Sequence, residues 1–157
     1  MRAILACDPK GGIGKDNDLP WDRLEGDLKR FKELTTGQTV VMGRNTWDSL
    51  PVKPLPNRTN FVFTSRGEDI KDIPNTKQLL NPALISDDDW LIGGASLFRS
   101  VYEDISEIHL SVTYSVYDCD RFIDIDRLYR DFNVESRVEN TDHAYEVLKR
   151  KYETIFR

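Results

Sequence analysis

Asp27 is the residue that asks most of its surroundings. At about 100° per residue, a helix through "RLEGDLKRFKELT" places it between Leu24, Leu28, Phe31 and Leu34, inside an apolar stripe. A carboxylate there must be paired or hydrogen-bonded. Two readings stand. One is an acid at the edge of the stripe that reaches water; the other is a carboxylate in an apolar cleft, able to hold an amidine-like edge through two hydrogen bonds. Three further stretches set anion-binding groups at strand ends. "VVMGRNTWDSL" brings a glycine and Arg44-Asn45-Thr46 to a helix start, where free amides and a guanidinium converge. "FVFTSR" closes a strand with Thr64, Ser65 and Arg66, and "WLIGGASLF" sets Gly93-Gly94 before a helix, so that backbone can approach a ligand closely. Ordinary helix caps would account for each alone. Three such sites in one small domain fit a ligand with several phosphates.

The loop "CDPKGGIGKDNDLPW" resembles a phosphate-binding loop at first sight. The spelling fails where it matters. A P-loop needs a hydroxyl after the lysine and a helix whose first amides face the phosphates. Here Asp16-Asn17-Asp18 follows Lys15, Pro20 disfavours helical geometry at Leu19, and Pro9 stands where the strict motif has glycine. A flexible, glycine-rich loop after a first strand remains, of the kind that acts as a lid.

These residues need a scaffold, and the hydrophobic pattern supplies one. "RAILAC", "QTVVMG", "RTNFVFTS" and "WLIGG" read as buried strands. Helices are expected over "RLEGDLKRFKELT", from about Arg44 to Leu50, and over "ASLFRSVYED", with a weaker one at "TKQLLNPALI" interrupted by Pro82. "EIHLSVTYSV", "FNVESRVE" and "AYEVLKRKY" give three late strands. Strands alternating with helices, followed by an antiparallel strand tail, describe an α/β fold with a mixed sheet.

A chain of 157 residues favours one domain with a real core. With 39% hydrophobic and 31% charged residues it reads as a soluble globular protein. The net charge of −5 speaks against nucleic acid as the main partner. Bases concentrate in the first half, among them Arg44, Lys53, Arg58 and Arg66, which fits either a basic cleft for a small anion or a solvated surface. Cys7 and Cys119 lack metal-ligand spacing and read as reduced thiols. No apolar run reaches the length of a membrane span, and the N-terminus lacks a signal-peptide core. A cytoplasmic monomer without membrane association is expected.

Taken together, "IGKDNDLPW", "GDLKRFKELT", "VVMGRNTWDSLP", "KPLPNRTNFVFTSR" and "WLIGGASLF" resemble the dihydrofolate reductase family, in family order and near-family spacing. The resemblance covers nearly the whole chain and is loosest after about Glu107. It implies a single α/β domain over residues 1–157, with a central mixed, mostly parallel sheet, an antiparallel C-terminal strand and flanking helices. It further implies NADPH-dependent reduction of 7,8-dihydrofolate to tetrahydrofolate, in support of one-carbon metabolism and of thymidylate and purine synthesis, and susceptibility to antifolate inhibitors.

By resemblance, Asp27 matches the carboxylate that bonds the pterin 2-amino group and N3. Ile4, Leu28, Phe31, Leu50 and Leu55 match the apolar walls, and Arg58 the arginine that binds the α-carboxylate of the folate glutamate. Lys32 and Lys53 fall at lesser basic positions on the substrate side. Ala6, Ile13 and Gly14 match the nicotinamide side, with Leu19 and Trp21 in the lid. Arg44, Thr64, Ser65 and Arg66 match the region around the adenosine 2′-phosphate, which favours NADPH over NADH. Asn45 and Thr46, with Gly93, Gly94, Ala95, Ser96, Leu97 and Phe98, match the turns around the pyrophosphate and nicotinamide. The sequence departs from the family pattern at Phe98, where tyrosine is frequent, at Ser111, where threonine usually bonds the acid or a nearby water, and at Cys119, where glycine is frequent. Two rivals share features of this pattern: a riboflavin-pathway reductase acting on a ribosylated pyrimidine, and a catalytically silent scaffold protein. Arg58 and the Asp27 helix favour folate over the first. Intact Asp27 and Gly93-Gly94 favour an enzyme over the second.

Overall fold

The computed structural model describes residues 1–16 and 18–151. Strands β1 (Arg2–Cys7), β3 (Thr39–Gly43), β4 (Thr59–Phe63), β5 (Thr76–Leu79), β6 (Trp90–Gly93), β7 (Glu107–Thr113), β9 (Phe132–Glu139) and β10 (His143–Arg150) form one eight-stranded sheet in the order β5-β4-β3-β6-β1-β7-β10-β9. The pairs from β5 to β7 are parallel, while β10 runs antiparallel to both β7 and β9. Helices α1 (Asp27–Thr35), α2 (Arg44–Ser49), α3 (Ala95–Val101) and α4 (Ile125–Asp131) make the connections around it. A separate two-stranded ribbon joins β2 (Gly12–Gly14) to β8 (Arg121–Phe122). The fold is α/β with a mixed, mostly parallel sheet, as the element order implies.

The core falls in two clusters. One is built on Ala3, Leu5, Leu91, Ile108, Leu110 and Leu148 under α3. The other comprises Val40, Met42, Trp47, Val62, Ile70 and Trp90, with Ile4, Leu34, Leu50 and Leu55 packed half-buried against it.

Two local expectations need correction, and two elements have no counterpart among the expectations. The first helix does not begin at Arg23. Gly26 sits in the left-handed region (φ 77°) and the helix starts at Asp27, so Asp27 occupies the first turn rather than the middle of a buried stripe. Leu24 is buried ahead of the helix, Leu28 is exposed, and Thr35 is the helix's one fully buried residue. The segment "TKQLLNPALI" is not helical. Thr76 and Leu79 bury against the sheet with Lys77 and Gln78 exposed, making the edge strand β5, and Asn81 caps a short 3₁₀ turn over Pro82–Leu84. Helix α4 is absent from the expectations because its face buries only Leu128; its signal is Asp124, whose side chain accepts from the Arg127 amide at 3.1 Å. The ribbon β2/β8 is too short to show a period. The end of "AYEVLKRKY" reaches Tyr152, and that position, like Asn17 in the lid, lies outside the described residues.

Candidate active site

The C-terminal ends of β3, β4 and β6 open on one side of the sheet, where ligands of parallel sheets bind. Asp27 stands in the first turn of α1, whose free amides favour its negative charge, and meets the sheet at β7 through Ser111. Its side chain is 32% exposed, so it meets the site without being sealed in the core. Ser111 Oγ donates to Asp27 Oδ1 at 2.6 Å, and Arg30 Nη1 donates to the same oxygen at 3.2 Å. Sheet register explains the first contact. Ala6 on β1, Ser111 on β7 and Tyr145 on β10 lie in one cross-strand row, and Ser111 reaches Asp27 from its centre.

Of the residues expected to wall the pocket, Ile4, Phe31, Leu50 and Leu55 are half-buried and Leu28 is exposed. Arg58 is 6% exposed. Its Nη1 donates to Thr35 Oγ1 at 3.0 Å, its Nε donates to the Pro56 carbonyl at 2.9 Å, and its guanidinium carbon lies 5.8 Å from the Phe31 ring centroid. Among the described residues it pairs with no carboxylate, and burial pushes it below the usual arginine range. Lys53 is spent differently. Its Nζ donates to the carbonyls of Asp48 and Leu50, closing the C-terminal end of α2. Lys32 is exposed on α1.

On the opposite side of β3, Arg44, Phe63, Thr64, Ser65, Arg66 and Leu80 line a cavity of about 420 Å³. Phe63 and the exposed Leu80 are additions to the residues the sequence points to; an apolar residue left in solvent just after an edge strand is the signal for Leu80. Arg44 is already engaged. It donates to Asp48 through Nε at 3.1 Å, to the Arg66 carbonyl at 2.8 Å, and to Asp69 through two nitrogens. Between the two regions, Gly43 immediately precedes α2 and Gly94 immediately precedes α3, with Gly93 and Gly94 joined by a cis peptide. Gly93 has φ 141°, and an added Cβ would lie 3.1 Å from Thr46 Oγ1, so only glycine suits this turn. Asn45 and Ser96 are exposed beside it, and Ala95 is buried. Leu97 and Phe98 turn into the core, with Phe98 edge-on to Tyr102 at 5.6 Å.

The loop expected to act as a lid is anchored at both ends. Trp21 is buried and packs edge-on against Tyr117 at 5.6 Å, while Leu19 is exposed. Asp8, fully buried, accepts from the amides of Lys10, Gly12 and Tyr117 at 2.8–3.0 Å. The Asp16 amide donates to Asp120 Oδ2 at 2.9 Å, and the Asp120 amide donates to the Gly14 carbonyl at 2.8 Å. Gly12 allows close packing here, since an added Cβ would lie 2.4 Å from Cys119 Sγ. Ile13 packs half-buried against the first core cluster. Cys7 and Cys119 are free thiols, and among the described residues no helix is long and apolar enough to cross a membrane.

Comparison with known proteins places this geometry in a family. The family model described as dihydrofolate reductase matches residues 1–155. The chain is 34% identical to dihydrofolate reductase type 8 of Escherichia coli, over 96% of each chain. It is 37% identical to dihydrofolate reductase of Ureaplasma parvum, over 87% of this chain and 89% of that one. Among solved structures, dihydrofolate reductase from Enterococcus faecalis complexed with NADP(H) and RAB-propyl superimposes with a TM-score of 0.80 at 29% identity, over 96% of each chain.

Proposed function

The chain belongs to the dihydrofolate reductase family and has that enzymatic activity; from that premise we propose that it binds NADPH and 7,8-dihydrofolate on the two sides of Gly93-Gly94 and reduces the pterin at C6 with protonation at N5. The observation that carries the proposal is the Asp27 carboxylate, fixed by Ser111 at 2.6 Å with Oδ2 free of protein partners among the described residues. Two parallel N–H groups of a pterin edge suit such a carboxylate. Ile4, Leu50, Leu55 and Phe31 supply apolar walls, and Arg58 is a buried cation suited to the α-carboxylate of the glutamate tail. Residues 1–157 act as one domain.

The cofactor side fits the dinucleotide. The cavity at Arg44, Thr64, Ser65 and Arg66 offers hydroxyls and guanidiniums to a 2′-phosphate, and Phe63 and Leu80 offer apolar faces to an adenine. The glycine turn at Gly93, which a Cβ would fill, lets backbone approach a pyrophosphate, with Asn45, Thr46, Ala95 and Ser96 beside it. When bound, NADPH supplies the hydride. Ala6, Ile13, Gly14 and the lid residues Leu19 and Trp21 enclose the reacting rings, aligning them and excluding water. Asp27 holds the pterin on the edge remote from N5, so it orients the ring and favours its protonated state. Water delivers the proton to N5 as the lid briefly opens.

Loss of reduced-nicotinamide absorbance, followed with and without dihydrofolate, tests this proposal. Oxidation that needs dihydrofolate and runs faster with NADPH than NADH supports it. Oxidation independent of dihydrofolate contradicts it.

A further inference from the structure

Arg30 is the charged side chain that touches Asp27. Its Nη1 lies 3.2 Å from Asp27 Oδ1, and its guanidinium carbon lies 3.8 Å from the centroid of the Tyr145 ring. The same nitrogen stands 3.5 Å from His143 Nε2. His143 is fully buried, and its Nδ1 is 2.7 Å from Asp142 Oδ1. This network assigns the ring proton to Nδ1, so that Nε2 faces Arg30 as an acceptor. Stacking and hydrogen bonding together hold the guanidinium against the carboxylate.

The donors around Asp27 give that position a consequence. Oδ1 already accepts from Ser111 and Arg30, whereas Oδ2 accepts from no described residue. A ring offering two parallel N–H groups places one on each oxygen. Its contact to Oδ1 is therefore the third, and Arg30 must share or yield. The guanidinium also offsets, from one side, the negative charge that a cationic ring would use. The Asp27 side chain is 32% exposed and that of Arg30 20%, so water screens the pair incompletely.

We propose that Arg30 sets how much of the Asp27 negative charge is left for the ligand, by competing for Oδ1 and offsetting the carboxylate from one side. The proposal rests on the folate-site assignment above. In consequence the site favours protonated rings less strongly than the same carboxylate would without the arginine, both for cationic diaminopteridines and for substrate protonated at N5. The groups facing Arg30 are Asp27 on its own helix and His143 and Tyr145 on β10. Behind them stand Asp142, bonded to His143, and His109 on β7, bonded to both Tyr145 and Glu107. Burial pushes the Tyr145 phenol up, so it stays neutral in the working range.

Methotrexate binding with NADPH present, measured by calorimetry as a double-mutant cycle of Arg30→Gln and Asp27→Asn, tests the proposal. Arg30→Met is made in parallel, since it keeps an unbranched stem on Tyr145. Both Arg30 variants are expected to bind methotrexate roughly 3- to 10-fold more tightly, the order for removing one partly exposed competing cation. The pH at which turnover declines should move upward with them. In the Asp27→Asn background neither change should alter methotrexate affinity. Unchanged or weaker binding in the Asp27 background overturns the proposal, leaving Arg30 a structural anchor. Proton uptake with methotrexate, read from the dependence of the enthalpy on buffer, should persist to higher pH in the Arg30 variants than in the unaltered protein, and identical profiles also overturn the proposal. If Asp27→Asn alone leaves methotrexate binding unchanged, the folate-site assignment itself fails, which is a separate result.

Discussion

The proposed substrate side and the proposed cofactor side each hold an arginine assigned to an anion, and the two are prepared in opposite ways. Arg58 is buried, holds neutral acceptors on Thr35 and Pro56, and pairs with no described carboxylate. Arg44 carries Asp48 and Asp69 together, and those bonds, with Asp69 contributing most, push it above the usual arginine range. A buried cation without a counterion is costly until a ligand supplies one, so an anion that reaches Arg58 gains a contact the protein leaves unmade. A phosphate that reaches Arg44 must share it with two carboxylates. The same side chain is thus a waiting partner in one region and an occupied one in the other.

Removing Arg58 should have the larger effect. Arg58→Ala is expected to weaken glutamate-bearing ligands by about 2–3 kcal/mol, the scale of charge-assisted hydrogen bonds, while sparing small diaminopyrimidines that lack the tail. Comparing the two ligand types by calorimetry breaks the contrast if both weaken equally. On the cofactor side, replacing Arg44 and Arg66 together by Gln should shrink the preference for NADPH over NADH, by less than Arg58→Ala costs tailed ligands. Steady-state kinetics with both cofactors read this directly, and a wild type that uses them equally well contradicts the phosphate assignment.

The smallest expected change sharpens the comparison most. Asp69→Asn should release Arg44 from its strongest competitor and modestly tighten NADPH without altering NADH. The sign with pH follows from the pair. Arg44 holds the Asp69 carboxyl below its ordinary range, so the ion pair is complete above the unfolded value of about 3.9 and is lost only as pH falls through the lower, folded one. The gain from Asp69→Asn should therefore persist throughout the neutral range. Weaker NADPH binding by this variant, in a fluorescence titration, would show that Asp69 positions Arg44 rather than competing for it.

Much of this architecture was legible because buried parallel strands write themselves as apolar runs. "RAILAC", "QTVVMG" and "WLIGG" carry β1, β3 and β6, and the residues at their ends fall beside one another as the parallel order requires. The start of helix α1 is hidden in the sequence because Gly26 adopts a left-handed conformation after an apolar pattern that begins at Leu24. β5 shows no strand period because Thr76 and Leu79 are the only two of its residues that bury. Arg30 and Asp8 carry no sequence signal, for a shared reason. Their partners, Tyr145 and His143 for one and the Tyr117 amide for the other, lie more than a hundred residues away in sequence. A charged side chain next to an apolar stripe looks solvated until the fold brings that distant strand or loop against it.

The central claim is that Asp27 receives the pterin and favours its protonated state without itself handing the proton to N5. The pH dependence of turnover by Asp27→Asn, set beside wild type in saturating NADPH, tests it most directly. A severe loss at neutral pH is predicted, with activity partly recovered as pH falls and substrate arrives already protonated, while NADPH affinity stays unchanged. An Asn variant with near-normal turnover at neutral pH would contradict it.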